Sequence, residues 1–115
     1  MQGKRIDRVA TLIKQELASL LARHELRDPR IGFVTITDVK VSDDLKHAKV
    51  YYSVLGDDTV KEETAKGLEH SRGYLQQDLA TNLKLRFTPR LAFSMDSSLD
   101  EGNKIDSIIR KIHEE

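Results

Sequence analysis

The amino-acid sequence predicts an α+β fold, a two-layer sandwich in which helices cover one face of a three-stranded sheet. Two patterns support this prediction. Apolar side chains recur at helical spacing over residues 4–24, 60–83 and 105–112. Apolar and polar side chains alternate, as they do in half-buried strands, over residues 33–41, 47–55 and 91–95. With 115 residues the chain suits one core, and we expect residues 1–115 to form a single domain.

The first predicted helix covers residues 4–24 and is strongly amphipathic. Asp28-Pro29 indicates where the helical region has ended, because the residue before a proline is displaced from helical backbone angles. His24 falls on the apolar stripe, where a packed histidine at a helix end is more usual than a metal ligand. The stripe consists of Ile6, Val9, Ala10, Ile13, Leu17, Leu20, Leu21 and His24.

Two strands are predicted next, at residues 33–41 and 47–55, with Asp43 and Asp44 in the turn that joins them. In the first strand the apolar phase slips by one residue near Thr37-Asp38, and a β-bulge there would return the apolar side chains to a common face. We therefore predict an antiparallel hairpin with a bulge in its first strand. The two aspartates fit turn chemistry better than a metal site, because the spacing of a calcium loop is missing.

The segment Ser71-Arg72-Gly73 disturbs an otherwise regular helical pattern. Ser71 occupies the stripe position between Leu68 and Leu75, and a glycine in a helix interior costs about 1 kcal/mol relative to alanine. We predict a kink here that separates two helices, with Ser71 and Gly73 as its structural residues. Two explanations without a binding role remain open, namely a left-handed cap at Gly73 and close packing of a neighbouring element against small residues.

Two capping boxes predict where later helices begin. Thr59 with Glu62 precedes the second helical segment, and Ser98 with Glu101 precedes a short final helix over residues 105–112. The complete predicted order is α-β-β-α-(kink)-α-β-α. The pattern does not specify the order of the strands within the sheet.

The composition and motifs exclude several classes of protein. Cysteine is absent, which excludes disulfides, thiolate zinc sites and cysteine nucleophiles. No apolar run approaches the roughly 20 residues of a membrane span, and the N-terminus lacks a signal-peptide pattern, so we expect a cytoplasmic protein. The four histidines have no metal-ligand spacing, and no glycine-rich phosphate loop or G-x-S-x-G elbow occurs. We predict a protein that is not an enzyme and holds no metal or cofactor.

Charge is segregated along the chain, although the formal net charge is zero. Residues 1–30 carry seven Lys/Arg against four Asp/Glu, and residues 71–90 carry four against one, so each segment has a net charge of +3. Residues 57–70 (two against five) and 91–115 (three against six) each have a net charge of −3. This segregation permits a basic face opposite an acidic one. A mixed, solvated surface explains the same counts equally well.

The sequence resembles the ribosome-binding factor A family of bacteria over essentially its whole length. The matching stretches are RIDRVATLIKQEL, RDPRIGFVTITDVKVSDDLKHAKVYYSVLG, LEHSRGYLQQDLATNLKLRFTPRLAFSMD and SLDEGNKIDSII. The segments DPRIGFVTITDV and EGNKID are the most specific of these. The resemblance implies a type II K-homology fold. In this family a kink formed by a small residue, any residue and glycine, here Ser71-Arg72-Gly73, replaces the nucleotide-clamping GXXG loop.

The resemblance also implies a function, namely late assembly of the small (30S) ribosomal subunit, most important in the cold. Such proteins bind free, immature subunits and support processing of the small-subunit rRNA without chemistry of their own. We expect a monomer that binds the small subunit and its rRNA, with an assembly GTPase as a further partner. The alternative is a protein-interaction module that docks on a ribosomal protein or assembly GTPase through the acidic residues of 57–70 and 100–115.

Eight basic residues are predicted to contact rRNA as phosphate partners. They come from the first helix with the loop after it, and from residues 71–90 with their net charge of +3. Lysine and arginine contacts to phosphates release counterions and make the affinity depend on salt. Ser71 and Gly73 are predicted to set the bend, not to bind RNA. The eight residues are Arg5, Arg8, Arg27, Arg30, Arg72, Lys84, Arg86 and Arg90.

Overall fold

Two helices and three strands form the part of the chain that this computed structural model describes, residues 2–23, 26 and 28–96. The predicted α+β class with a three-stranded sheet is confirmed. Within these ranges no helix is long and apolar enough to cross a membrane. The predicted final helix over 105–112 and its capping box lie outside the described residues, as does His24. The elements are α1 (Gln2–Ala22), β1 (Phe33–Val41), β2 (His47–Leu55), α2 (Asp58–Asn82) and β3 (Arg90–Met95).

The sheet has the strand order β1-β2-β3. β1 and β2 form the predicted antiparallel hairpin with the predicted strand bounds, and β3 lies parallel to β2. The predicted bulge is also confirmed. The register passes from Ile36 opposite Tyr52 to Asp38 opposite Tyr51, so that no residue of β2 lies opposite Thr37 in the ladder. This shift places Ile36 and Val39 on the same buried face, although they are three residues apart in the chain.

The core lies between one face of the sheet and both helices. The predicted stripe of α1 is confirmed by its four fully or nearly buried members, Val9, Ile13, Leu17 and Leu20. Burial of such a side chain contributes about 1.5–3 kcal/mol each, so packing of this stripe is what holds α1 on the sheet. The remaining buried apolar residues are Ile36, Val39, Ala48, Val50, Tyr52, Leu68, Leu75, Leu79 and Leu91.

Helix α2 begins earlier than the predicted capping box would place it. Asp57 is the N-cap residue, and its Oδ1 accepts a hydrogen bond of 2.9 Å from the Val60 amide. Thr59 therefore lies inside the helix, and the prediction that Thr59 and Glu62 form a capping box is wrong. Aspartate is at least as good an N-cap residue as threonine. Asp57 comes directly after the turn at Gly56 and two residues before Thr59, so the helix begins there.

The same helix continues without interruption through Ser71-Arg72-Gly73 to Asn82. The predicted division into two helices is therefore wrong, and a bend within the continuous helix stays a prediction. Gly73 does not have the positive φ of a left-handed cap, so that explanation is also wrong. Ser71 is buried at the core position between Leu68 and Leu75. Apart from its chain neighbours and the adjoining backbone of α2, no atom of the described residues lies within 4 Å of a Cβ built on Gly73.

Close packing against a glycine does occur on α2, at Gly67. A Cβ there would lie 2.6 Å from Cγ1 of Ile31, in the loop between α1 and β1. The same loop is tied to the fully buried Thr64, whose Oγ1 accepts a 3.1 Å hydrogen bond from the Gly32 amide. Gly67 thus lets this loop lie directly on α2, which is the role that the sequence had suggested for Ser71 or Gly73.

Candidate nucleic-acid interface

The topology of the sandwich collects basic segments at one of its ends. An apolar groove is lined by Ala18, Leu21 and Ala22 of α1 together with residues 31–36 at the start of β1. The C-terminal half of α1 therefore lies beside the start of β1. Helix α2 follows β2 and runs back toward the β1–β2 turn, because β3 starts there with Arg90 in register with His47.

The segment between α2 and β3 presents its basic side chains to solvent. Leu83 and Leu85 pack against the core. Lys84, between these two leucines, and Arg86, directly after the second, are exposed. Lys84 has a left-handed φ of 50°. This alternation means that the apolar side chains anchor the segment while its cations face outward.

Three hydrogen bonds fix the course of this segment. Gln76 of α2 donates from Nε2 to the Pro89 carbonyl over 2.6 Å and accepts at Oε1 from the Leu91 amide over 3.0 Å. The Arg90 amide donates to the Lys46 carbonyl over 2.8 Å, which joins the segment to the β1–β2 turn. Arg86 lies with its guanidinium carbon 5.5 Å from the ring centroid of Phe87. The cations are thus held on a defined stretch of backbone.

Arg5 and Arg8 lie on the first turns of α1, three residues apart and both exposed. The exposed Lys46, Lys84, Arg86 and Arg90 lie where β3 begins, beside the β1–β2 turn, and we call this part of the sandwich the basic end. Lys46 was not among the predicted contacts, because a single lysine in a turn gives no signal in the sequence. A concentration of cations of this kind attracts the phosphates of a nucleic acid.

Arg72 lies in the middle of α2. Its Nη1 is 3.7 Å from Oε2 of Glu69, one turn earlier, and both side chains are partly exposed. Exposed pairs of this kind contribute about 0–1 kcal/mol, so a phosphate could displace the carboxylate at little cost. The structure places Arg72 along the helix and not at the basic end.

Arg30 lies near the other end of the sandwich, in the loop that packs on α2. Its Nε and Nη2 donate to Oδ1 and Oδ2 of Asp28 over 3.0 and 2.7 Å. These hydrogen bonds lower the pKa of Asp28 to about 2 and raise the pKa of Arg30. The positive charge of Arg30 is therefore paired with Asp28 inside the loop. Arg27, the eighth predicted contact, lies outside the described residues.

Carboxylates occupy the first turns of α2, opposite the basic end. Asp57, Asp58, Glu62 and Glu63 follow directly on the end of β2 and form what we call the acidic end. Negative side chains at a helix N-terminus also interact favourably with the helix dipole, so part of this pattern stabilises α2. Within the described ranges no group of three or more His, Asp or Glu is arranged to hold a metal ion.

The Asp43-Asp44 pair has the role that turn chemistry predicted. Oδ1 of Asp44 accepts hydrogen bonds from the Ser42 hydroxyl over 2.6 Å and from the Lys46 amide over 3.0 Å. These bonds lower the pKa of Asp44. The carboxylate therefore closes the β1–β2 turn.

The exposed face of the sheet carries basic and aromatic residues that are not among the predicted RNA contacts. Lys40 of β1 lies opposite Lys49 of β2, and both ammonium groups lie near the ring of Tyr51. The available signal was the polar phase of β2, in which His47, Lys49 and Tyr51 alternate with buried residues. The same alternation is typical of any strand with a solvent-exposed face. It does not show which residues of a neighbouring strand lie beside Lys49 and Tyr51.

Comparison with known proteins agrees with this architecture. Residues 5–109 match the family model described as Ribosome-binding factor A. A protein of that name from Geobacter metallireducens is 47% identical over 112 residues, 97% of this chain and 94% of the relative. Among solved structures, the crystal structure of ribosome-binding factor A from Thermus thermophilus has a TM-score of 0.66 at 26% identity, covering 78% of this chain and 94% of that one. A homology model of the Thermus thermophilus protein, fitted into a cryo-EM map of a 30S complex, has a TM-score of 0.64 at 26% identity, with coverage of 76% and 91%.

Proposed function

This chain belongs to the ribosome-binding factor A family, and we propose that it binds free, immature small (30S) ribosomal subunits and supports the late maturation of their rRNA. The observation that carries the proposal is that a relative with the same fold has been fitted into a map of a 30S complex. The basic end supplies the complementary charge for rRNA. The factor would act as a cytoplasmic monomer, with an assembly GTPase as a further partner.

The proposed action requires binding and no chemistry. A factor can shift a subunit between two arrangements only by as much as its affinities for the two differ. A tenfold preference for the immature arrangement would shift the equilibrium by about 1.4 kcal/mol. In this account the protein holds rRNA in the immature arrangement until processing is complete, and it leaves when that arrangement is no longer favoured.

A charge reversal at the basic end tests the proposal. We expect the double variant Lys84→Glu, Arg86→Glu to lose most co-sedimentation with free small subunits, because two phosphate contacts become repulsive. The matched control is Lys14→Glu, Lys66→Glu, which changes the net charge equally at exposed positions on α1 and α2. Circular dichroism checks that both variants are folded. Equal co-sedimentation of the wild type and of both variants would contradict the proposed role of the basic end.

The acidic end favours a second candidate, a module that docks on a ribosomal protein or assembly GTPase. Salt distinguishes the two. Binding through six to ten phosphates weakens by about 10³–10⁵ between 50 and 200 mM salt, whereas a protein-docked factor would not bind rRNA freed of protein. A titration of the wild-type chain with protein-free small-subunit rRNA at several salt concentrations therefore decides between the candidates. A chain that ignores the rRNA at every salt concentration would favour docking on a protein.

A further inference from the structure

The sheet face opposite the helices carries a cluster of two lysines and one tyrosine, Lys40, Lys49 and Tyr51. The ammonium groups of Lys40 and Lys49 lie 5.5 and 5.2 Å from the centroid of the Tyr51 ring. Neither lysine forms an ion pair with a carboxylate of the described residues. We call this group the sheet-face cluster.

Two lysines in this arrangement are unfavourable for the fold. Lys40 and Lys49 are directly opposite in the antiparallel ladder, and like charges in that position destabilise a sheet. Cation–π contact with Tyr51 offsets part of this repulsion and holds both ammonium groups at one place. A threonine or glutamate at either position would avoid the repulsion altogether. The arrangement therefore suits an anionic ligand that binds both cations at once.

The β1 bulge creates this arrangement. In a regular strand without the bulge, Lys40 would share a face with the buried Ile36, because the two are four residues apart. The one-residue shift turns Lys40 to the exposed face and brings it opposite Lys49. The same bulge thus places Ile36 and Val39 together on the buried face and brings Lys40 opposite Lys49 on the exposed face.

The surroundings of the cluster are open and mainly basic. On β3, the small residues Ala92 and Ser94 lie beside Lys49 and Tyr51 in the register. Arg90, which belongs to the basic end, lies beside His47, one step further along the same face. Asp38, in register with Tyr51, is the acidic residue nearest in the ladder, and its Oδ1 accepts a 2.9 Å hydrogen bond from the next amide along the chain. Asp96 follows β3 in the same alternation, and its Oδ2 accepts a 2.7 Å hydrogen bond from the Thr37 hydroxyl. Three cations therefore lie near two carboxylates, both of which accept hydrogen bonds from β1.

We propose that the sheet-face cluster is a second RNA contact, which binds an unpaired stretch of RNA with a phosphate between Lys40 and Lys49. When the phosphate draws both ammonium groups off Tyr51, the ring becomes available to stack an unpaired base. Small neighbours on β3 leave room for that base. The cluster lies on the same face as Arg90, so one RNA strand could follow from it to the basic end. This inference rests on the proposed function and assigns the sheet face to that function.

A single substitution separates RNA binding from folding. In Lys49→Glu the unfavourable pair becomes an opposite-charge cross-strand pair with Lys40, so we expect an unchanged or higher midpoint of urea denaturation. We also expect about tenfold weaker binding of a labelled single-stranded oligoribonucleotide, with a shallower salt dependence. Tyr51→Ala should weaken binding as well. Lys14→Glu, with the same change in charge on an exposed position of α1, should bind like the wild type.

The outcomes are distinguished by parallel measurements on the full chain, using fluorescence anisotropy for the oligonucleotide and co-sedimentation for small subunits. Oligonucleotide binding by Lys49→Glu that equals the wild type overturns the inference, as does preferential binding of the duplex form of the same sequence. Displacement of the oligonucleotide by polyglutamate at lower concentration than by competitor RNA overturns it in favour of an acidic protein ligand. If the wild type fails to co-sediment with small subunits, the proposed function fails, whatever the oligonucleotide shows.

Discussion

Arg30 and Arg86 carry the same charge, but their surroundings give them different roles. Arg30 is held by a bidentate pair with Asp28, and its own amide also donates to Oδ1 of that carboxylate over 3.0 Å. Arg86 has no ion pair within the described ranges and lies beside the exposed Phe87. The sequence could not separate them, because the pairing depends on the turn formed by the Ile31 amide and the Asp28 carbonyl. Only Arg86 keeps its charge available for an external ligand.

The Asp28–Arg30 pair predicts a dependence of stability on pH. Folding lowers the pKa of Asp28 from its ordinary value of 3.8 to about 2. The charged carboxylate therefore stabilises the fold above about pH 4, and this contribution is lost as the pH falls through the interval down to about 2. We expect Asp28→Asn to be less stable than the wild type at pH 7, and the difference to shrink at pH 2.

Urea denaturation at the two pH values measures this effect. The control is Asp43→Asn, which changes an exposed turn aspartate that forms no side-chain hydrogen bond among the described residues. A difference between wild type and Asp28→Asn that is the same at pH 7 and pH 2 would show that the pair does not stabilise the loop.

At the scale of elements, hydrophobic periodicity predicted the strands well and the continuity of α2 poorly. The bounds of β1 and β2 and the bulge followed from the apolar phase, because one buried face leaves a single acceptable register. In α2 the polar Ser71 and the flexible Gly73 were predicted to divide the helix into two. Burial of Leu68, Leu75 and Leu79, at about 1.5–3 kcal/mol each, outweighs the roughly 1 kcal/mol cost of one glycine. Local propensity was therefore overridden by tertiary packing.

Two glycines in α2 allow a matched test of this packing. Gly67→Ala and Gly73→Ala gain the same helix propensity, about 1 kcal/mol. At Gly73 the new methyl group would meet no described residue beyond the adjoining turns of α2 itself, so we expect a net gain of about that amount. At Gly67 it would lie 2.6 Å from Ile31 Cγ1, and overpacking of this kind costs about 1–3 kcal/mol.

The free energies of unfolding of the two alanine variants, from chemical denaturation, should therefore differ by about 1–3 kcal/mol, with Gly73→Ala the more stable. Equal stabilities would mean that the loop does not press on α2 at Gly67. Destabilisation by Gly73→Ala would indicate that α2 needs a glycine at its middle, as the predicted bend requires.

At the scale of the whole molecule, a net charge of zero conceals two oppositely charged ends. The counts along the chain indicated segregation but could not show where each segment lies. The parallel pairing of β3 with β2 decides this, because it brings Arg90 beside His47 and the backbone of Lys46. No local pattern specifies that pairing. The sheet-face cluster was missed for a similar reason, since Lys40 and Lys49 meet only through the register of two strands.

On the small subunit, we expect the basic end and the adjoining sheet face to lie against rRNA and the acidic end to point away from it. The most direct measurement is an electron-microscopy map of this chain bound to immature small subunits. We expect rRNA density next to Lys84, Arg86 and Arg90, and the first turns of α2 exposed to solvent or to a protein. A map with the acidic end on rRNA and these three cations facing solvent would contradict this orientation.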